Sequence, residues 1–147
     1  MLHRIDARAL VALLLAALVA GCDSSPAGPE TVAATGTVSF RGSPVESANV
    51  IFQPLDQGNS APASQAVTDG NGRFELTTHV GVGKFKPGIV PGKYAVTITK
   101  LDTASISTTL APPKHLLPQK YANSNTSGLT ADVPAADSSE FNFSLSE

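Results

Sequence analysis

The chain is predicted to fold as an all-β sandwich of about seven short strands. From Thr35 onward, apolar and polar residues alternate in short runs. Between the runs stand clusters of Gly, Pro, Asn and Asp. Five of the six Phe residues (Phe40, Phe52, Phe74, Phe141 and Phe143) fall on the faces that this alternation turns inward. Successive strand side chains point to opposite faces, so a period of two marks a strand with one buried side.

In order, Thr35 to Phe40 places Gly36, Val38 and Phe40 on one face. Arg41-Gly42-Ser43-Pro44 makes a turn, because Gly42 tolerates positive φ and Pro44 cannot donate to a ladder. Ala48, Val50 and Phe52 alternate next, and Pro54 ends that strand; Leu55 to Pro62 reads as a polar loop. Gln65–Thr68 and Arg73–Thr77 flank the turn formers Asp69-Gly70-Asn71-Gly72 and read as a hairpin. His79 to Pro91 reads as a glycine-rich loop, and Pro91-Gly92 suits the centre of a type II turn. Tyr94, Val96 and Ile98 share a face in the strongest strand, whereas residues 101–128 show no period beyond a helical turn near His115 to Tyr121. Leu129, Ala131 and Val133 form one further run, and Phe141, Phe143 and Leu145 the last.

Ahead of this pattern lies a different kind of segment. Arg4 and Arg8 precede an uninterrupted apolar run from Ala9 to Ala20, 12 residues long. A bilayer span needs about 20 apolar residues, so the run is short for a membrane helix and has the form of an export signal. It closes on Leu18-Val19-Ala20-Gly21-Cys22, which contains the sole cysteine. These residues resemble the lipobox of bacterial lipoproteins. That resemblance implies cleavage before Cys22, with a diacylglyceryl group on its thiol and an acyl chain such as palmitate on the freed amine. A thiolate is the nucleophile such chemistry needs. One chain anchors marginally at about 0.8 kcal/mol per buried methylene, while two or three hold stably. The expected organisation is a signal peptide at 1–21, a lipidated Cys22 and flexible tether at 22–34, and a β-sandwich at 35–147. The tether, broken by Pro26 and Pro29, has little to bury. The expected location is the cell envelope, facing the periplasm or exterior, with membrane lipid as the first partner through acylated Cys22.

Cleavage would leave 126 residues, enough for one domain. Removing Arg4, Arg8 and Asp6 from the 10 basic and 12 acidic side chains leaves 8 and 11, a net charge of −3. There is no basic patch, which argues against a nucleic-acid partner. With Cys22 acylated no disulfide can form, so the core must hold the fold alone.

Gly36-Thr37-Val38, Ala48-Asn49-Val50-Ile51-Phe52, Thr68-Asp69-Gly70-Asn71-Gly72-Arg73-Phe74 and Val90-Pro91-Gly92-Lys93-Tyr94-Ala95-Val96 together resemble carboxypeptidase regulatory-like domains across residues 35–100. Leu117-Pro118-Gln119-Lys120-Tyr121 and Thr126-Ser127-Gly128-Leu129-Thr130 are similar to the closing segment of bacterial lipoproteins built on that domain. The resemblance implies an immunoglobulin-like or transthyretin-like sandwich without chemistry of its own. These motifs are mostly turn chemistry, specific for fold and weak for function.

The residues themselves offer little for catalysis. Asp69-Gly70-Asn71-Gly72 recurs at the start of calcium loops, but an EF-hand would need a bidentate Glu where Val80 stands. His79 and His115 lack partners at zinc spacing. Gly81-Val82-Gly83-Lys84 lacks the Gly-Lys-Ser/Thr ending of a phosphate loop. No G-x-S-x-G is present. Transthyretin-like hydrolases of 5-hydroxyisourate carry a C-terminal Tyr-Arg-Gly-Ser, which this sequence lacks. The expectation is a non-catalytic binding or structural module without metal or cofactor. The alternative is an accessory subunit presenting or stabilising an envelope enzyme or transporter; a hydrolase ranks behind both. An envelope protein or glycan would be the partner, and residues 101–128, with Lys114, Gln119 and Lys120 facing outward, are its expected contact surface. No ligand-binding residues are assigned.

Overall fold

The computed structural model describes residues 28–55, 61–102 and 113–147. The expected all-β sandwich is what forms: two packed sheets built, among the described residues, from ten strands, several of them very short. One sheet has β1 (Ala33–Phe40) at its centre. On one side of β1 runs β10 (Ser138–Leu145), parallel to it, with Gly36 opposite Phe141, Val38 opposite Phe143 and Phe40 opposite Leu145. The other side is shared by β2 (Ser43–Pro44) and β5 (Arg73–Glu75), both antiparallel. Arg41 and Gly42 turn β1 into β2 with φ of 52° and 80°, the paired positive values of a type I′ turn.

The second sheet has the order β7 (Lys84–Pro87), β6 (Thr77–Gly81), β4 (Ser64–Val67), β3 (Asn49–Pro54), β8 (Gly92–Thr99), β9 (Leu129–Val133). Its central pair sets Val50 against Ile98 and Phe52 against Val96. All four are fully buried.

The expected core forms. Val38, Val50, Phe52, Phe74, Leu76, Tyr94, Val96, Ile98 and Phe143 are buried, with Phe40 and Phe141 packed half-buried against them. Phe52 joins the layers: its ring centroid lies 6.4 Å from Phe74, 5.4 Å from Phe141 and 6.1 Å from Phe143, all on the opposite sheet. Tilted rings at such separations are the favoured aromatic geometry. The buried hydroxyls of Thr68, Ser64 and Thr78 are satisfied locally, whereas Ser139 Oγ in β10 is buried without a hydrogen-bond partner among the described residues. Thr68 Oγ1 donates to the Val45 carbonyl at 2.6 Å and accepts from the Ala48 N–H at 2.8 Å. Thr78 Oγ1 donates to the Gly88 carbonyl, so Ser64 Oγ must donate to Thr78.

Several expectations are corrected. Residues 64–77 are not a simple hairpin, because β4 and β5 belong to different sheets and Asp69-Gly70-Asn71-Gly72 carries the chain between them. The run Arg73–Thr77 also splits at Leu76, a buried corner residue. Its N–H reaches Ala34 in one sheet, while its carbonyl accepts the Gly88 N–H just after β7 of the other. The glycine-rich segment after His79 forms the β6–β7 hairpin, with a bulge between His79 and Gly81 and Gly83 at φ 66°. Pro91-Gly92 makes no type II turn: Gly92 has φ 154° rather than about +80° and begins β8. The sandwich also starts earlier than Thr35. Val32 and Ile89 exchange backbone hydrogen bonds of 2.8 and 2.9 Å, and β1 begins at Ala33, so the end of the expected tether belongs to the fold.

Candidate functional site

Cys22, the expected lipid-attachment residue, lies outside the described residues, as do the signal peptide and the tether up to residue 27. The other motifs with a chemical look are built into the fold. Asp69 Oδ1 accepts the N–H groups of Asn71 and Arg73 at 2.9 and 2.8 Å, making an Asx-type turn. Gly72 follows at φ 72°, where a Cβ would stand 2.5 Å from the Val38 carbonyl. Gly81-Val82-Gly83-Lys84 is the tip of a hairpin, with Val82 wholly exposed. His79 packs edge-on against Phe85 at 5.1 Å, and His115 forms an isolated bridge with Leu101. Among the described residues no three His, Cys, Asp or Glu side chains stand together as a metal site.

The crossover from β8 to β9 is the most individual surface. Its described parts are ordered, unlike the patternless connection the sequence suggests. Asp102 N–H donates to the Lys114 carbonyl and Leu116 N–H to the Lys100 carbonyl, each at 2.8 Å, so the two ends are stitched together. Leu117 and Tyr121 are buried in the main core, and Tyr121 sits in a 3₁₀ turn, Gln119–Ala122. Leu116, by contrast, stays 47% exposed. Asn123 then caps the return: its carbonyl accepts the Ser127 N–H and its Oδ1 the Asn125 N–H. Lys114, Gln119 and Lys120 face solvent above this footing.

Tyr121 has a second role that nothing in the sequence signals. Its hydroxyl donates to the Ser146 carbonyl and accepts the Ser146 N–H, both at 3.1 Å, just beyond β10. The backbone hydrogen bond from Ser146 holds its phenol below the ordinary value, against the opposing effect of burial, with the nearby Lys120 charge contributing. Tyr94, whose hydroxyl donates to the Val90 carbonyl at 2.7 Å, is pushed up by burial.

Replacing Lys114, Gln119 and Lys120 together by Ala should leave the fold intact. Lys120 Nζ does reach the Glu147 carbonyl, but at an exposed site. The expected cost is about 1 kcal/mol or less, measured by urea unfolding. A loss of several kcal/mol would mean that these side chains hold the crossover in place.

An open groove of about 530 Å³ crosses the outer face of the larger sheet, lined by Asn49, Ile51, Gln65, Val67, Thr77 and Thr99, with Glu75 at its margin. Amide, hydroxyl and aliphatic groups line it beside the Glu75 carboxylate.

No family model matches the chain, and no curated protein matches it in sequence. A solved structure, the 9R-lipoxygenase from Cyanothece PCC8801, aligns with 95% of this chain at 17% identity and a TM-score of 0.40. The chain spans about a fifth of that protein's length, 20%.

Proposed function

We propose that this chain is a non-catalytic lipoprotein of the cell envelope, a β-sandwich module resembling the carboxypeptidase regulatory-like type, held to a membrane by acyl chains on Cys22. One observation carries the reading: a 12-residue apolar run after two arginines closes on Leu18-Val19-Ala20-Gly21-Cys22. The placement of the sandwich is compatible with it, since among the described residues strand pairing begins at Val32. Intervening Pro and small polar residues would serve as a spacer between lipid and domain. The roles of Asp69, Gly72 and Gly83 in turns support a binding or structural task over a chemical one.

In bacterial cells fed labelled palmitate, the wild-type protein should take up label and sediment with membranes. Cys22→Ser should take up none and shift to the soluble fraction. A label-free wild-type protein in the soluble fraction would contradict the reading.

The accessory-subunit alternative has a specific observation in its favour, the polar crest of Lys114, Gln119 and Lys120 fixed on buried Leu117 and Tyr121. A stoichiometric envelope protein recovered with the wild type and lost from the triple Ala variant would support it. Retention on purified envelope glycan would support direct binding instead.

A further inference from the structure

Among the described residues the sandwich has one sheet margin that is long, regular and unpaired. Strand edges carry unpaired N–H and C=O groups, and proteins usually blunt them with Lys, Pro, bulges or short length. The other margins among the described residues follow that practice. β7 has Lys84, Lys86, Pro87 and an adjoining bulge; β2 ends in Pro44; β5 is three residues long; and β9 carries Asp132 and is followed by Pro134. β10, eight residues long, holds only one charged residue, Glu140, and no Pro. Leu145 gives its carbonyl to Arg41 N–H on the β1 side. By alternation, Phe143, Phe141 and Ser139 also direct their backbone groups toward β1, and those of Ser144, Asn142, Glu140 and Ser138 point away from it. Beyond them the edge is closed, because Tyr121 hydroxyl occupies both backbone groups of Ser146. The open window is therefore Ser138–Ser144, centred on Phe141, whose half-buried ring stands at this margin.

We propose that this window pairs antiparallel with the same window of a second copy, with Phe141 on the two-fold axis, joining two sandwiches through one continuous sheet. The side chains argue for a second copy in this register. With Phe141 opposite itself, Ser138 meets Ser144 and Glu140 meets Asn142, twice by symmetry. Thr37 Oγ1 donates to Asn142 Oδ1 at 2.7 Å, so the Asn142 amide nitrogen is left to donate to the partner's carboxylate. No like charges face one another, and the two Phe141 rings meet at the axis. A strand-edge contact is small, so the dimer should be weak and concentration-dependent.

The test is sedimentation equilibrium of the full-length chain in density-matched detergent, with three substitutions. Asn142→Pro removes an outward N–H that the sandwich's own ladder does not use and should abolish the dimer. Asn142→Glu sets like charges opposite each other in both halves and should weaken it about tenfold. Asn142→Lys sets opposite charges together and should leave it as tight or tighter. The charged pair carries the test if the Pro variant proves unfolded by circular dichroism. A chain that stays monomeric at every loading overturns the proposal. A dimer indifferent to Asn142, as lipid-driven association would be, also overturns it. So does equal weakening by Glu and Lys, which would place Asn142 rather than Phe141 on the axis.

Discussion

Phe52→Ala should come close to unfolding the protein. The side chain is fully buried and touches aromatic rings from β5, β8 and β10, so its removal opens a cavity between the layers and strips contacts from both. Such truncations cost about 3–5 kcal/mol. A single domain commonly has about 5–15 kcal/mol in all. Urea unfolding should show the midpoint falling by a large fraction. Phe85→Ala offers the contrast: its ring is 47% exposed and meets His79 at the sheet's outer strands rather than the core, so its loss should matter little. Equal effects from the two substitutions would mean that the layers do not meet at Phe52.

The second large effect is expected at Gly36, in the middle of β1. Glycine normally weakens a strand, but here the missing Cβ is what lets neighbours close in. A Cβ at this position would stand 2.3 Å from the Phe141 carbonyl oxygen and 2.5 Å from the Phe74 ring. The ring could shift, but the carbonyl belongs to the backbone of β10 and cannot move without loosening the parallel pair. Gly36→Ala should therefore cost about 1–3 kcal/mol. Adding Phe74→Leu should relieve only part of it. A neutral Gly36→Ala would contradict the close approach of β1, β5 and β10.

Inward faces were legible in the sequence wherever a strand buries one side only. Val38, Val50, Phe52 and Phe143 betray themselves by alternation, because each is flanked by residues that are exposed or only half-buried. Strand partners were not legible, since alternation is blind to which strand lies alongside. Nothing in Ala33–Phe40 or Ser138–Leu145 announces a parallel pair between the first long strand and the last. β6 was hidden for another reason: its buried residue is Thr78, satisfied by Ser64 and the Gly88 carbonyl, so Thr77–Gly81 shows no apolar rhythm. Leu76 defeats a single-strand reading because it belongs to a corner bonded in two directions. Of the crossover, Leu116, Leu117 and Tyr121 were visible as apolar residues able to pack back; Leu117 and Tyr121 do so, while Leu116 stays exposed. The use of the Tyr121 hydroxyl to close the end of β10 was not visible, because it depends on where the final strand ends.

The central claim is that the chain is anchored through Cys22, and mass spectrometry of the N-terminal peptide of protein recovered from bacterial membranes tests it most directly. The account predicts a peptide beginning at Cys22, with a diacylglyceryl group on the thiol and a further acyl chain on the amine. A peptide that retains the apolar run with an unmodified Cys22, or one cleaved elsewhere, would contradict it.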